Sequence, residues 1–299
     1  AFFANYPVAL ASGMGLNAFF AFTVCGAMGY SYKVALTAVF IEGIIFMLLS
    51  LFKFREALVN KIPSNLKFAI TAGIGLFIAI IALLNANVVV ASESTTVALG
   101  ELSSPTVVLS LVGLLIIGAL QHYKVPGGIL LGILITWVLG IMAQLVGWYV
   151  PNPEAGVYSV IPQFSLSSFE APKMFQFDFG FIAKNVPAFI LIVFTFLYTD
   201  IFDTVGTLIG VAEKGKLLDK DGSLPNATGA LMADAVGTVV GACFGTSTVT
   251  SYVESSAGVA AGGRTGLTAV TTAVLFFISL IFAPIFTSIP SFATTPAML

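Results

Sequence analysis

Charged residues, cysteine and histidine are all scarce in this chain. Only 9% of its 299 residues are Asp, Glu, Lys or Arg, whereas a soluble domain carries about 25%. The formal net charge of −2 provides no basic surface, so we expect no nucleic-acid partner. Cys25, Cys243 and the single histidine, His122, lie far apart, which predicts neither a disulfide nor a metal site. A Ser-His-Asp hydrolase is disfavoured for the same reason, and we do not expect an enzyme.

The chain is instead rich in apolar residues. It is 58% hydrophobic, contains 27 phenylalanines and has a mean hydropathy of +1.03. A helix of about 20 apolar residues is long enough to cross a bilayer, and several segments approach this length. They cover residues 33–52, 66–85, 105–122, 127–150, 183–212, 228–244 and 265–287. The pattern predicts an all-α polytopic membrane protein with the lipid bilayer as its partner.

The positions of lysine and arginine predict the orientation of these spans, because short cytoplasmic loops collect positive charge. Basic residues cluster in alternate loops, at Lys53, Arg55, Lys61 and Lys67, then at His122 and Lys124, then at Lys214, Lys216 and Lys220. The intervening connections are mostly acidic. We therefore place the basic loops in the cytoplasm and the long 151–182 connection outside, where it has room for a short surface helix or hairpin.

Two segments are too rich in glycine, alanine and serine to be ordinary spans. One runs from Pro7 to Val24 and the other covers 245–264. Each predicts an extended lead-in followed by a half helix, and paired interrupted segments of this kind mark the binding site of transporters built from structural repeats. A short echo supports the repeat, since Ala35–Val39 and Gly266–Val270 each open a span after one of these segments.

Carboxylates within the spans are candidate functional residues, because charge at membrane depth is costly and usually faces a cavity. Glu254 lies among hydroxyl and small residues, including Ser255, in the second interrupted segment. Asp203 shares a helical stripe with Thr207, and Asp200 lies one turn earlier on nearly the same face. Such a stripe allows a carboxylate to accept hydrogen bonds from the N–H groups of a flat ligand.

Each carboxylate also has a structural alternative. An aspartate on this helix can brace a neighbouring helix end, and Glu42 and Asp234 are as compatible with helix-to-helix hydrogen bonds as with function. Burial favours the protonated form of a carboxyl group. Asp203, Glu254 and Asp200 are therefore candidates for proton coupling, with H+ as the expected coupling ion and no other cofactor.

Three separated motifs carry a resemblance that extends over essentially the whole chain. They are Gly13–Phe22 (GMGLNAFFAF), Tyr198–Thr207 (YTDIFDTVGT) and Phe244–Gly258 (FGTSTVTSYVESSAG). Together they resemble the purine branch of the nucleobase–cation symporters, the xanthine/uracil permease-like family. That branch includes bacterial guanine/hypoxanthine permeases and fungal relatives, so the resemblance implies a multi-pass protein of the plasma membrane, the inner membrane in a bacterium.

The resemblance implies a fold of two inverted repeats of seven spans each, arranged as a core and a gate domain. The third and tenth spans of that fold each combine a strand with a half helix, and they correspond to residues 5–28 and 245–264. Both ends of such a protein would lie outside this chain. The implied division is 1–52 core, 53–150 gate, 151–182 external loop, 183–290 core and 291–299 the start of a further gate span.

The same resemblance implies roles for individual residues. Asp203 and Glu254 fall on the acidic positions of the eighth and tenth spans, where they are expected to accept hydrogen bonds from a purine. The expected substrate contacts are Asp203, Glu254, Thr207, Ser255 and Met14. Ser12 departs from the family pattern, because it stands where this branch is expected to have proline.

The expected function is uptake of purine nucleobases with protons by alternating access, with guanine and hypoxanthine as substrates and adenine as a further candidate. The alternative is an anion transporter or channel of similar architecture, whose site would be expected to carry positive charge. An aspartyl protease using Asp200 and Asp203 is disfavoured, because catalytic aspartates share a proton across facing elements. The sequence is compatible with a monomer or a homodimer.

Overall fold

The computed structural model describes residues 1–51, 64–92, 94–152, 157–162, 172–220 and 223–299. They divide between two compact units. Unit 1 comprises Ala1–Ala72 and Ala171–Phe276, and unit 2 comprises Gly73–Glu170 and Phe277–Leu299. Each unit has a hydrophobic core of its own.

Helices form most of the regular structure in these residues. In chain order the elements are β1 (Leu10–Ser12), α1 (Met14–Ala18), a π-helix (Phe19–Ala27), α2 (Tyr32–Leu51), α3 (Ser64–Asn85), β2 (Val89–Ser92), β3 (Thr96–Leu99), α4 (Pro105–His122), α5 (Gly128–Leu145), α6 (Gly180–Lys184), α7 (Val186–Lys214), α8 (Ala227–Cys243), β4 (Val249–Ser251), α9 (Ser255–Ala260), α10 (Gly266–Ser279), α11 (Ala283–Thr287) and α12 (Ser291–Met298). The strands are short and form two antiparallel pairs, β1 with β4 and β2 with β3.

The spans predicted from hydropathy are confirmed as helices. In the described part of the chain, α2, α4, α5 and α7 are long and apolar enough to cross a membrane. The predicted 265–287 span differs, because α10 ends at Ser279 and the short α11 begins at Ala283. Pro284 stands in the first turn of α11, where its missing N–H is tolerated, whereas it could not continue α10 without losing a hydrogen bond.

The connections between spans contain regular structure of their own. The described part of the 151–182 connection includes the start of α6 and one antiparallel bridge, between Asn152 and Val157, while 153–156 and 163–171 lie outside the described residues. The hairpin of β2 and β3 was not predicted. Half of its strand residues are β-branched, which suits a pleated strand, and its register pairs Val89 with Leu99.

In unit 1, glycines bring helix α8 close to two neighbours. A Cβ at Gly43 of α2 would lie 2.9 Å from Val239 Cγ2 of α8, so the two helices meet at a glycine. Gly229, Ala233, Gly237, Gly241 and Gly245 recur every four residues, and this spacing predicts a ridge of small residues on α8 for close helix contact. That interpretation is wrong for Gly237 and Gly241, whose built Cβ atoms lie 3.1 and 2.7 Å from Val249 of β4. These two glycines therefore allow strand β4 to pack closely against α8, which positions the second interrupted segment.

In unit 2, α4 and α5 pack against α12. A Cβ at Gly113 of α4 would lie 2.7 Å from Thr136 Oγ1 of α5, and one at Gly140 would lie 2.5 Å from the ring of Phe292. The Trp137 indole N–H donates to the Val160 carbonyl oxygen at 2.8 Å, which fastens part of the 151–182 connection to α5. These contacts give the described part of unit 2 a close-packed core of apolar side chains.

Candidate functional site

The two interrupted segments meet as an antiparallel pair of short strands. Leu10 pairs with Ser251, Ala11 with Thr250, and Ser12 with Val249. Each strand leads into a short helix, β1 into α1 and β4 into α9. The extended lead-in followed by a half helix that the sequence predicts is therefore present in both segments.

Two glycines allow the chain to turn closely around this strand pair. A Cβ at Gly13 would lie 2.9 Å from Thr250 Oγ1, so β1 can turn into α1 only with a residue that lacks a side chain. Gly245, between α8 and β4, has φ +88°, a left-handed conformation that glycine adopts without strain. Its built Cβ would lie 2.9 Å from the Lys173 carbonyl oxygen. The constraint on Gly13 thus comes from the strand pair, and that on Gly245 comes from the connection before α6.

Asp203 and Glu254 come together beside this strand pair. The Thr250 hydroxyl of β4 and the Glu254 carboxylate both lie within electrostatic range of the Asp203 carboxylate of α7. Tyr252 lies within range of both carboxylates. Glu254, directly before α9, is exposed, whereas Asp203 is half-buried. Among the described residues none donates a side-chain hydrogen bond to Glu254, so its oxygens are available to a ligand.

The other predicted contact residues are Thr207 on α7, Ser255 on α9 and Met14 on α1, and each has different neighbours. Thr207 is buried one turn beyond Asp203 on α7. The Ser255 hydroxyl oxygen accepts a hydrogen bond from the Ala9 N–H at 3.0 Å, which ties α9 to the first interrupted segment. Met14 is the first residue of α1 and is half-buried.

Asp200 belongs to a second polar cluster rather than to the pair formed by Asp203 and Glu254. Its Oδ1 lies 3.3 Å from the Thr204 hydroxyl, and the same hydroxyl is 2.8 Å from Asp234 Oδ2 on α8. Ser251 of β4 donates to Asp234 Oδ1 at 3.2 Å. All four side chains are buried. The cluster therefore links α7, α8 and β4. The helix-to-helix hydrogen bond that the sequence allowed as an alternative role for Asp234 is observed, with Thr204 of α7 as its partner.

Arg264 has a structural contact. Its guanidinium donates to the carbonyl oxygens of Val259 and Gly263, which accept at the end of α9, a favourable place for a cation. Within the described ranges, no three His, Cys, Asp or Glu side chains converge as metal ligands.

Asn17 lies in the first motif, but no role was predicted for it from the sequence. Its Oδ1 accepts hydrogen bonds from Ser12 at 2.8 Å and from Ser247, and the Tyr252 hydroxyl donates to the Ser12 carbonyl oxygen at 2.6 Å. The sequence feature that could have indicated a role is a lone carboxamide between the apolar residues of a half helix. The site thus combines two carboxylates, which accept hydrogen bonds, with an amide that can donate them.

Comparisons with known proteins agree with this geometry. The family model described as "Permease family" matches residues 1–299. The chain is 46% identical over 305 residues to the guanine/hypoxanthine permease PbuO of Bacillus subtilis, covering 99% of this chain and 67% of PbuO. It is 42% identical over 297 residues to the adenine permease AdeQ of Escherichia coli, covering 99% of this chain and 64% of AdeQ. The chain spans about two thirds of the length of the curated relatives it matches.

Solved structures are similar in fold at low sequence identity. The transmembrane domain of BicA, a bicarbonate transporter of a cyanobacterium, has a TM-score of 0.65 and 16% identity, covering 99% of this chain and 74% of that one. SLC26A9 has a TM-score of 0.59 and 12% identity, covering 98% and 49%. These likenesses confirm the predicted fold class, the helical inverted-repeat transporter. The family model matches residues 1–299 of this chain, and PbuO and AdeQ are more than 40% identical to it. This multi-pass membrane protein therefore belongs to the permease family.

Proposed function

We propose that the protein to which this chain belongs takes up purine nucleobases together with protons by alternating access. The observation that carries the proposal is the position of Asp203 and Glu254 within electrostatic range of each other, beside the paired strands that lead into the half helices. The names of PbuO and AdeQ, a guanine/hypoxanthine and an adenine permease, support purines as the substrate class.

The chemistry of the site suits a neutral heterocycle with several N–H groups. Asp203 reaches the site from α7 and Glu254 from the start of α9, so one flat ligand can donate to two carboxylates on different elements. Hydrogen bonds to charged groups contribute about 1.5–3 kcal/mol each. We assign Thr207 of α7, Ser255 of α9 and Met14 of α1 to the surroundings of the base.

Proton coupling follows from the proximity of the two carboxyl groups. Two negative charges within electrostatic range repel each other, and a proton on either group removes that repulsion and supplies a hydrogen-bond donor. The first candidates for this proton are Asp203, which lies near Thr250, and Glu254, which is exposed. Asp200 is assigned to the same path through its buried cluster with Thr204 and Asp234.

An uptake experiment on the full-length protein tests the proposal. Purified protein in liposomes is given labelled hypoxanthine, guanine, adenine, xanthine or uracil, under an inward pH gradient, an inward sodium gradient, or neither. We expect purines to accumulate under the pH gradient and not under the sodium gradient. Accumulation driven by sodium alone would overturn the coupling ion, and no accumulation of any purine would overturn the substrate class.

An anion transporter or channel is the alternative function. The described site offers acceptors rather than cations, and the guanidinium of Arg264 is engaged by the Val259 and Gly263 carbonyl oxygens. Electrogenic chloride or bicarbonate flux in the same liposomes, unchanged by added hypoxanthine, would favour the alternative. The proposal expects no such flux.

A further inference from the structure

The turn that carries Glu254 is fastened to the first interrupted segment at both of its ends. It comprises Tyr252 to Ser255, between β4 and α9, and the Ser255 N–H closes it by donating to the Tyr252 carbonyl oxygen at 3.2 Å. At one end, the Tyr252 N–H donates to the Ala9 carbonyl oxygen at 3.0 Å. At the other end, the Ala9 N–H donates to the Ser255 hydroxyl oxygen at 3.0 Å. Both backbone polar groups of Ala9 are therefore bound to this turn.

The side chain of Tyr252 adds a second anchor to the same turn. Its hydroxyl donates to the Ser12 carbonyl oxygen at 2.6 Å, so the residue runs along the first segment from Ala9 to Ser12. The direction of both side-chain hydrogen bonds is fixed, because a backbone N–H only donates and a carbonyl oxygen only accepts. Two hydroxyl groups, one before Glu254 in the chain and one after it, thus hold the turn.

The position of Glu254 is set by the backbone of this turn. Its side chain is exposed, and its own φ and ψ are −59° and −21°. A side chain that a ligand must first bring into place costs binding free energy, whereas one that is held in place beforehand avoids that cost. A turn fastened at both ends therefore benefits any ligand that donates a hydrogen bond to Glu254.

The other carboxylate of the site is held differently. Asp203 lies within α7, a helix of 29 residues, and its backbone position comes from that helix. The hydrogen bonds to Ala9 and Ser12 thus act on Glu254 and not on Asp203. This difference between the two carboxylates provides the test.

We propose that Tyr252 and Ser255 are positioning residues, which clamp the turn onto Ala9 and Ser12 and thereby hold the Glu254 carboxylate where a purine meets it. This inference rests on the proposed function, because it assumes that Glu254 accepts a hydrogen bond from the base. Among the surroundings of the base, the Ser255 hydroxyl then acts through Glu254, since its oxygen is engaged by the Ala9 N–H.

Equilibrium binding of labelled hypoxanthine to the detergent-solubilised full-length protein tests the clamp. Tyr252→Phe and Ser255→Ala each remove one hydroxyl, and we expect each to weaken binding about three- to tenfold, the effect of one hydrogen bond. Ser255→Thr keeps the acceptor for Ala9 and should bind like the parent. The matched controls are Tyr123→Phe, at an exposed tyrosine after α4, and Ser288→Ala, at the end of α11, and both should also bind like the parent.

Two double-mutant cycles separate positioning from direct contact and from general damage. In a Glu254→Ala protein there is no carboxylate to position, so we expect Tyr252→Phe and Ser255→Ala to change affinity by less than about twofold. In an Asp203→Asn protein the same two substitutions should weaken binding about three- to tenfold, as in the parent. An equal loss in the Glu254→Ala protein would show that the hydroxyls act without Glu254.

Hydrogen exchange on the ligand-free protein tests the clamp without any substrate. Ser255→Ala removes the acceptor of the Ala9 N–H, so we expect the Ala9 amide to exchange about tenfold faster than in the parent, because local opening sets this rate. Ser255→Thr should exchange at the parent rate. An unchanged rate at Ala9 in the Ser255→Ala protein would overturn the inference, even where a variant binds hypoxanthine too weakly to titrate.

The outcomes distinguish this inference from the proposed function. Parent-like affinity of both Tyr252→Phe and Ser255→Ala, or equal losses with and without Glu254, would overturn the inference and leave purine transport standing. A parent protein that binds no purine would overturn the proposed function and, with it, the assumed role of Glu254, whereas faster exchange at Ala9 would still support the contact between Ser255 and Ala9.

Discussion

The hydroxyl of Thr250 on β4 lies near the carboxylate of Asp203 on α7. Thr250 is itself buried, and it pairs with Ala11 across the two strands. The first interrupted segment, the second interrupted segment and α7 therefore meet at Thr250. A displacement of either strand would change the position of the Asp203 carboxylate.

Replacement of Thr250 by valine should weaken substrate binding. Valine has nearly the same shape as threonine, so β4 keeps its packing while the hydroxyl near Asp203 is lost. A hydroxyl that interacts with a charged group contributes up to about 1.5–3 kcal/mol, and we expect hypoxanthine affinity to fall about tenfold or more. Titration calorimetry on the full-length protein measures this. Thr250→Ser retains the hydroxyl and should bind like the parent, and equal affinity of the valine variant would refute the role of the contact.

Replacement of Gly13 by alanine should destabilise unit 1. The added Cβ would lie 2.9 Å from Thr250 Oγ1 and 3.1 Å from Thr250 Cγ2, and overpacking of this kind costs about 1–3 kcal/mol. We expect a lower Tm in detergent and weaker hypoxanthine binding. Gly118→Ala on α4 is the matched control, because nothing lies within 4 Å of its built Cβ. A Gly13→Ala protein with unchanged Tm would show that the strands separate without cost.

Replacement of Thr204 by valine should disturb the buried cluster of carboxyl groups. The hydroxyl lies 2.8 Å from Asp234 and 3.3 Å from Asp200, and loss of a buried donor costs about 1–3 kcal/mol. We expect a lower Tm and a changed dependence of uptake rate on pH. Thr195→Val is the control on the same helix, since Thr195 is half-buried and its hydroxyl donates to the Leu191 carbonyl oxygen of its own helix. An unchanged pH profile with a lowered Tm would assign the cluster to structure alone.

The spans and the interrupted segments were predictable from the sequence because they depend on local composition. A run of apolar residues must become a helix in lipid to satisfy its backbone, which is why α4 and α7 lie close to their predicted bounds. Glycine and serine in 245–264 likewise signalled a broken helix. Local composition therefore predicts where the helices and interrupted segments lie, but not which residues they contact.

Partners were harder to predict, because helical periodicity defines a face without saying what covers it. Asp200 and Asp203 lie on nearly the same face of α7, yet Asp200 meets Thr204 and Asp234 whereas Asp203 meets Thr250. Gly241 was expected to face a helix and instead faces β4. The fold brings together residues that are distant in the chain, and a single sequence does not encode that proximity in any local pattern.

Binding of hypoxanthine to variants of Asp203 and Glu254 tests the central claim most directly. Calorimetric titration of the full-length protein should give saturable binding for the parent and for Glu213→Gln, a control at the exposed end of α7. Asp203→Asn and Glu254→Gln should each bind at least about tenfold more weakly, because each loses a charged acceptor. Parent-like affinity in both variants would contradict the account.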